Sequence, residues 1–184
     1  MSTTLTAGRI RPARAADAYT LYLLSSPFMR SGELRHRPPG LYTATAHEFL
    51  VAEDDRHTPQ GCLALRHYPA GPHGGDGGDG GDAGDGRDGW DGGSSADERP
   101  AGVLHNFCVL RRAQGAGLGS LLLAQALARA EADSLPAVFT ATTGHGRLFL
   151  RAGFHEIPPS AAPPLWTSAL DPNRRSRILA LPLA

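Results

Sequence analysis

Apolar and polar positions follow two different periods along the chain, and the changes of period divide it into short elements. Compact apolar runs bounded by turn residues predict strands at Glu48–Glu53 (EFLVAE), Gly61–Tyr68 (GCLALRHY), Gly102–Val109 (GVLHNFCV) and Ala137–Thr142 (AVFTAT). Weaker strands are predicted at Leu5–Arg11, ended by Pro12, and at Gly153–Ile157 and Arg177–Leu183. Apolar spacings of three and four predict helices over Ala15–Leu24, with Tyr19 and Leu23 on its stripe, and over the Leu/Ala-rich Gly117–Ala132. A short helix is predicted around Arg147–Ala152, and Arg30–Tyr42 reads as a loop with short helical pieces. The alternation of strands and helices predicts an α/β (α+β) fold with a mixed sheet, and 184 residues suit a single domain over 1–184.

One stretch obeys neither period. Gly71–Asp97 (GPHGGDGGDGGDAGDGRDGWDGGSSAD) holds 12 of the 23 glycines and has almost nothing to bury, so it reads as a disordered insertion between two paired strands. Calcium-binding repeats need an apolar residue in each turn, and the GGD triplets supply none. The segment also conceals the charge of the rest. The chain balances 18 basic against 18 acidic residues, yet this stretch holds seven Asp and one Arg, leaving 17 Arg against 11 acids elsewhere, a net of +6. That surplus suits an anionic ligand. The arginines are scattered and lack an aromatic RNA-binding pattern, so nucleic acid is not expected. No apolar run is long enough for a spanning helix and no secretory block opens the chain, so a soluble, cytoplasmic protein is expected, with no membrane partner.

Every basic residue is Arg, and the absence of Lys excludes a phosphate-binding P-loop lysine, Schiff-base chemistry and protein kinase activity. Cys62 and Cys108 read as buried packing, and the eight histidines show no zinc spacing, so no metal is expected. The informative segment is Val109–Leu123, VLRRAQGAGLGSLLL, where a strand runs into Gln114-Gly115-Ala116-Gly117-Leu118-Gly119-Ser120 and a helix begins at once. Amides at a helix N-terminus lack intrahelical partners and lie at the positive end of the dipole, and glycine lets an anion approach them. A phosphate cradle is predicted. The dinucleotide pattern G-x-G-x-x-G fails, because Ser120 or Leu122 stands where the last glycine belongs. A glycine turn serving only strand–helix packing is the plain alternative.

Gln114, Gly117 and Gly119 match Q/R-x-x-G-x-G/A, and the segment resembles the acetyl-CoA pyrophosphate loop of the GCN5-related N-acetyltransferase superfamily. The resemblance covers most of the chain outside the insertion: IRPARAADA at Ile10–Ala18, FLVAEDD…QGCLAL over Phe49–Leu65, and FLRAGF at Phe149–Phe154. Short features, VAE at Val51–Glu53 and GCLAL at Gly61–Leu65, are similar to the N-acetylglutamate synthase branch. The resemblance implies a mostly antiparallel sheet and acetyl-CoA as acetyl donor. Its diphosphate would lie on residues 114–120, and its pantetheine arm between two splayed strands, against Phe107, Cys108 and Val109. Phe149 would flank the cofactor. Many members carry a Tyr there that protonates the leaving thiolate, which Phe cannot do. The implied partner is a small-molecule amine; the chain itself is a candidate homodimer.

Acetyl transfer needs a neutral amine, and an alkyl ammonium of pKa about 10 demands roughly 4 kcal/mol for deprotonation at pH 7. Strand alternation places 103, 105, 107 and 109 on one face, which makes His105 the first candidate base and turns Cys108 away from it. Glu53, ending the neighbouring strand, is a second candidate, and His145 a third. Arg30, Arg35 and Arg37, in the loop after the first helix, are candidates for gripping a substrate carboxylate, with Thr142 beside the acceptor. Trp166 and Asp171–Arg177 precede the last strand and either close the acceptor pocket or cap the sheet. The expected function is N-acetylation of a small amine, with an amino acid α-amino group as the specific form. An antibiotic- or metabolite-modifying acetyltransferase on the same fold and a non-catalytic acyl-CoA-binding module are the alternatives.

Overall fold

The computed structural model describes residues 8–69 and 100–183. Their backbone forms one seven-stranded sheet of strands β1 (Arg9–Pro12), β2 (Phe49–Glu53), β3 (Pro59–Tyr68), β4 (Ala101–Val109), β5 (Ala137–Thr142), β6 (His155–Ile157) and β7 (Arg177–Pro182). The spatial order is β1-β2-β3-β4-β5-β7-β6, and every neighbouring pair is antiparallel except β4 and β5, which are parallel. The Gly/Asp-rich insertion lies outside the described residues. On either side of it, Tyr68 and Ala101 are register partners at the end of the β3–β4 ladder.

Two helical layers cover the sheet. On one face lies α3 (Leu118–Ala132), whose Leu118, Leu122, Leu123, Ala126 and Ala130 recur at helical spacing and pack on Leu50, Leu63, Leu65 and Leu104. On the other face, α1 (Ala18–Arg30) and α2 (Pro39–Thr45) bring Leu21, Leu24, Phe28 and Tyr42 against Phe49, Val51, Cys62 and Ala64. All five residues of β2 are buried, since helices cover both of its faces. Further along, α4 (Arg147–Arg151) places Phe149 in the first layer, and α5 (Pro164–Thr167) packs Trp166 on Phe139 in the second.

Three departures from the sequence-based expectations have physical causes. Helix α1 runs on to Arg30 through Pro27, because the buried stripe Ala18, Leu21, Leu24, Ser25, Phe28 continues across it; Tyr19 and Leu23 are exposed. Arg30 therefore ends a helix and is not part of the loop. Alternation in β4 breaks at Asn106, whose φ is +51°, and the register with β3 shifts between Cys62 and Ala64. Such a bulge adds one residue to a strand and re-aims the side chains beyond it. As a result Phe107 and Val109 pack with the α3 layer, whereas Cys108 packs beneath α1 and His105 packs on Phe49. His105 and Cys108 thus share a face, contrary to simple alternation.

Candidate active site

Strands β4 and β5 are paired only from Gly102↔Val138 to Leu104↔Thr140. Beyond Leu104 no β5 residue partners β4, and the left-handed turn at Asn106 carries the strand away. The side chain of Asn106 holds that turn in place. Its amide nitrogen donates to Ser25 Oγ at 2.7 Å, and its oxygen accepts from Tyr42 Oη at 3.2 Å. Asn is one of the few residues that enters the left-handed region readily, and here the bulge is buried and its amide bonded at both ends.

The gap opens onto a cavity of about 570 Å³ that includes Phe107, Cys108, Val109, Gln114, Gly115, Gly117, Gly119, Ser120 and Thr142 in its lining. Gln114 Nε2 donates to Val109 O at 2.9 Å, tying the loop back to the strand end. Gly115 and Gly117 have φ of +84° and +83°, and a Cβ built on either meets nothing within 4 Å, so their faces are open. Gly117 caps α3 without a side-chain hydrogen bond, and the first helix amide with a backbone acceptor is that of Leu121, on Gly117 O at 3.1 Å. Among the described residues, no backbone carbonyl accepts from the amides of residues 115–120. An array of free amides, open glycines and a helix dipole fits a diphosphate. Ala116 does not line the cavity, and the Leu118 side chain is buried in the core, so from these two only the backbone is available.

A second cavity of about 510 Å³ shares Phe107, Thr142, Thr143, Glu33 and Leu34 with the first. Its wall is the segment between α1 and α2. Arg35 Nη1 donates to Ala169 O, Arg174 Nη2 to the carbonyls of Gly32 and Glu33, and Arg111 Nη2 to Glu33 at 2.7 Å. Arg37 lines this cavity and its guanidinium has no hydrogen-bond or ion-pair partner among the described residues. Burial, then the nearby Arg66, lowers its pKa from the ordinary guanidinium value.

His105 stands in the same cavity with its side chain 12% exposed. Its Nε2 lies 3.0 Å from Glu48 Oε2, and its buried Nδ1 has no partner. Burial pushes the imidazole below the usual histidine pKa, with the Glu48 hydrogen bond pulling the other way and Arg37 adding to the decrease. Glu48 also accepts from Arg66 Nε at 2.9 and 3.2 Å. Burial alone would raise this carboxyl, but the bonds from His105 and Arg66 outweigh it and bring it down to about 2. Glu48 carries no signal in the sequence, because it sits in the 3-10 turn before β2, a position with no motif.

The structure does not bring together all of the residues singled out from sequence. Glu53 lines neither cavity; it is buried at the far edge, bonded to Arg11 at 2.6 Å. Arg30 is exposed and lines neither, as does His145. Thr142 lines both, and its Oγ1 accepts from Gly144 N at 3.2 Å. Phe149 lies in the wall of the second cavity, edge-on to Phe107 at 5.7 Å. Trp166 and Asp171 line the same cavity, so the segment before β7 forms part of its wall. Among the described residues no group of metal-binding side chains occurs, and no helix is long and apolar enough to cross a membrane.

Two cavities meet at the splayed parallel strand pair, and the N-terminus of α3 lines one of them. The chain belongs to the acetyltransferase (GNAT) family, whose model matches residues 16–154. Its fold is similar to that of N-acetylglutamate synthase from Neisseria gonorrhoeae complexed with coenzyme A and N-acetyl-glutamate, at 24% identity and a TM-score of 0.73 over 96% of this chain and 35% of that one. It is also similar to Rv2747 from Mycobacterium tuberculosis in complex with CoA and NLQ (19% identity, TM-score 0.68, 96% of this chain and 99% of that one). Ard1 from Thermoplasma volcanium is a third such fold (13% identity, TM-score 0.64, 97% and 99%). The chain spans about a third of the length of the Neisseria gonorrhoeae synthase. No curated protein sequence matches it.

Proposed function

We propose that the protein acetylates the α-amino group of a small, carboxylate-bearing acceptor of the amino acid type. The observation that carries this reading is Arg37, a partly buried guanidinium with no partner among the described residues, in the cavity that meets the donor cleft at Phe107 and Thr142. A desolvated cation left without an anion is costly, and a substrate carboxylate is the group that would relieve it through a two-pronged hydrogen bond. Arg35 and Arg174 are engaged with backbone carbonyls, which leaves Arg37 as the available fork. The acetylated amino acid derivative in the Neisseria gonorrhoeae complex agrees with an acceptor of this kind.

In this reading the work is divided among three groups of residues. The free amides of 115–120 and the dipole of α3 hold the donor diphosphate, and the unpaired edge of β4 from His105 onward takes the pantetheine arm between the strands. Phe107 and Phe149 wall the junction and hold water back from it. His105, kept neutral by burial and with one nitrogen unbonded, accepts the proton of the acceptor ammonium. Phe149 carries no proton, so no side chain at that position assists the departing thiol. Thiol release measured with acetyl-CoA and a panel of L-amino acids, their amides and the matching decarboxylated amines tests the proposal. Turnover should be confined to acceptors with a free carboxylate; equal kcat/KM on decarboxylated amines would overturn it.

A further inference from the structure

We infer that Glu48 is a positioning residue for His105, fixing the imidazole so that Nδ1 receives the acceptor's proton. The inference rests on the reading of His105 as the base and adds which nitrogen acts and what holds it. Both Glu48 oxygens accept from Arg66 Nε, at 2.9 and 3.2 Å, so the carboxylate is clamped from the β3 side. Its Oε2 lies 3.0 Å from His105 Nε2. An ionised carboxylate can only accept, so in the neutral imidazole the proton must sit on Nε2, and Nδ1 keeps a lone pair. That nitrogen is the buried polar side-chain atom without a partner among the described residues. The ring of Phe49 stands edge-on to the imidazole, with centroids 5.9 Å apart, and opposes a flip that would exchange the two nitrogens.

The proton balance is simple. The ammonium N–H bond breaks, an Nδ1–H bond forms, and the imidazolium charge is met by Glu48 through Nε2–H without passing a second proton. The His105 and Glu48 side chains are 12% and 13% exposed, so water screens this attraction weakly. The charged groups facing the imidazole are Glu48 from the turn before β2, Arg66 from β3 and Arg37 from the wall before α2. Glu48 favours the imidazolium and the two arginines oppose it. Histidine–carboxylate pairs of this kind set tautomer and basicity in other enzymes.

The pH profile of kcat/KM tests the inference because opposite charges must move it in opposite directions. Glu48→Gln should shift the acid limb down by about one pH unit and lower the plateau about tenfold or more. Arg66→Met should shift the limb up, and Glu48→Asp should return it toward its original position. An unmoved limb in Glu48→Gln, or a shift in the same direction for Glu48→Gln and Arg66→Met, would overturn the assignment. Should Glu48→Gln fail to fold, the Arg66→Met profile decides alone: an upward shift supports the inference and any other result refutes it. His105→Gln separates the two layers. Full turnover in that variant removes the base itself, whereas an inactive His105→Gln beside an unmoved limb in Glu48→Gln removes Glu48 only.

Discussion

At the scale of single residues, burial and partners decide what a motif residue does. Gly117 has a φ of +83° and open space where a Cβ would sit, so its substitution strains the backbone without a clash. Gly117→Val should cost about 1–2 kcal/mol of stability, the penalty of a left-handed conformation for an L residue. The side chain would also stand among the free amides, so acetyl-CoA affinity by calorimetry should fall more than tenfold; unchanged affinity would remove the cradle. Glu53 tests the opposite case. Bonded to Arg11 and remote from both cavities, it should behave structurally. Glu53→Ala is expected to lower stability by about 2 kcal/mol in denaturant melts and to leave the pH profile of kcat/KM in place. Glu48 adds a pH dependence. Its folded pKa of about 2 lies below the ordinary 4.5, so the stability it contributes is complete above about pH 4.5 and is lost as pH falls through about 2. Melting temperatures of wild type and Glu48→Gln should converge over that window, and a constant gap would contradict the ion pair.

At the scale of elements, what sequence conveys is period, and what it hides is where a period breaks. The strands at Phe49–Glu53 and Ala137–Thr142 and the helix at Leu118–Ala132 were legible because their buried positions recur regularly or fill the whole strand. The glycine turn at residues 114–120 was legible for a different reason: a turn with left-handed residues needs glycines at fixed places, and fixed places leave a pattern. The bulge in β4 was not, because Asn106 keeps the strand pattern intact in the sequence and breaks it only through its φ and its bonds to Ser25 and Tyr42, 81 and 64 positions away. Glu48 was hidden likewise, since its partners Arg66 and His105 come from β3 and β4. The bulge carries its own prediction. Asn106→Ala removes two buried hydrogen bonds and keeps a side chain at positive φ, which together should cost about 2–4 kcal/mol. The gap between β4 and β5 should relax with it, raising KM for acetyl-CoA while kcat at saturation changes less. Asn106→Gly, free of the φ penalty, should be about 1 kcal/mol more stable than Asn106→Ala if conformation at this residue matters.

At the scale of the whole molecule, the chain separates its charge as clearly as its layers. Seven Asp lie between residues 71 and 97, while the remainder carries a net of +6 and holds both cavities. The β3–β4 ladder is closed at Tyr68↔Ala101, so the two strand ends are already neighbours and a short turn can join them. Replacing residues 71–97 by a four-residue turn should therefore preserve the sheet. Each halving of a loop recovers only about 0.6 kcal/mol of closure entropy, so the gain in stability should be no more than about 2 kcal/mol. The electrostatic consequence is larger and has a distinct signature. Without the Asp residues an anionic donor meets a body of net +6, and the dissociation constant for acetyl-CoA should fall about two- to threefold at low ionic strength. Near 1 M salt, where the screening length is about 3 Å, the two proteins should bind alike. A difference that persists at high salt would mean that the acidic segment touches the donor or the cleft. A collapse in melting temperature would mean that β3 and β4 depend on it for their pairing.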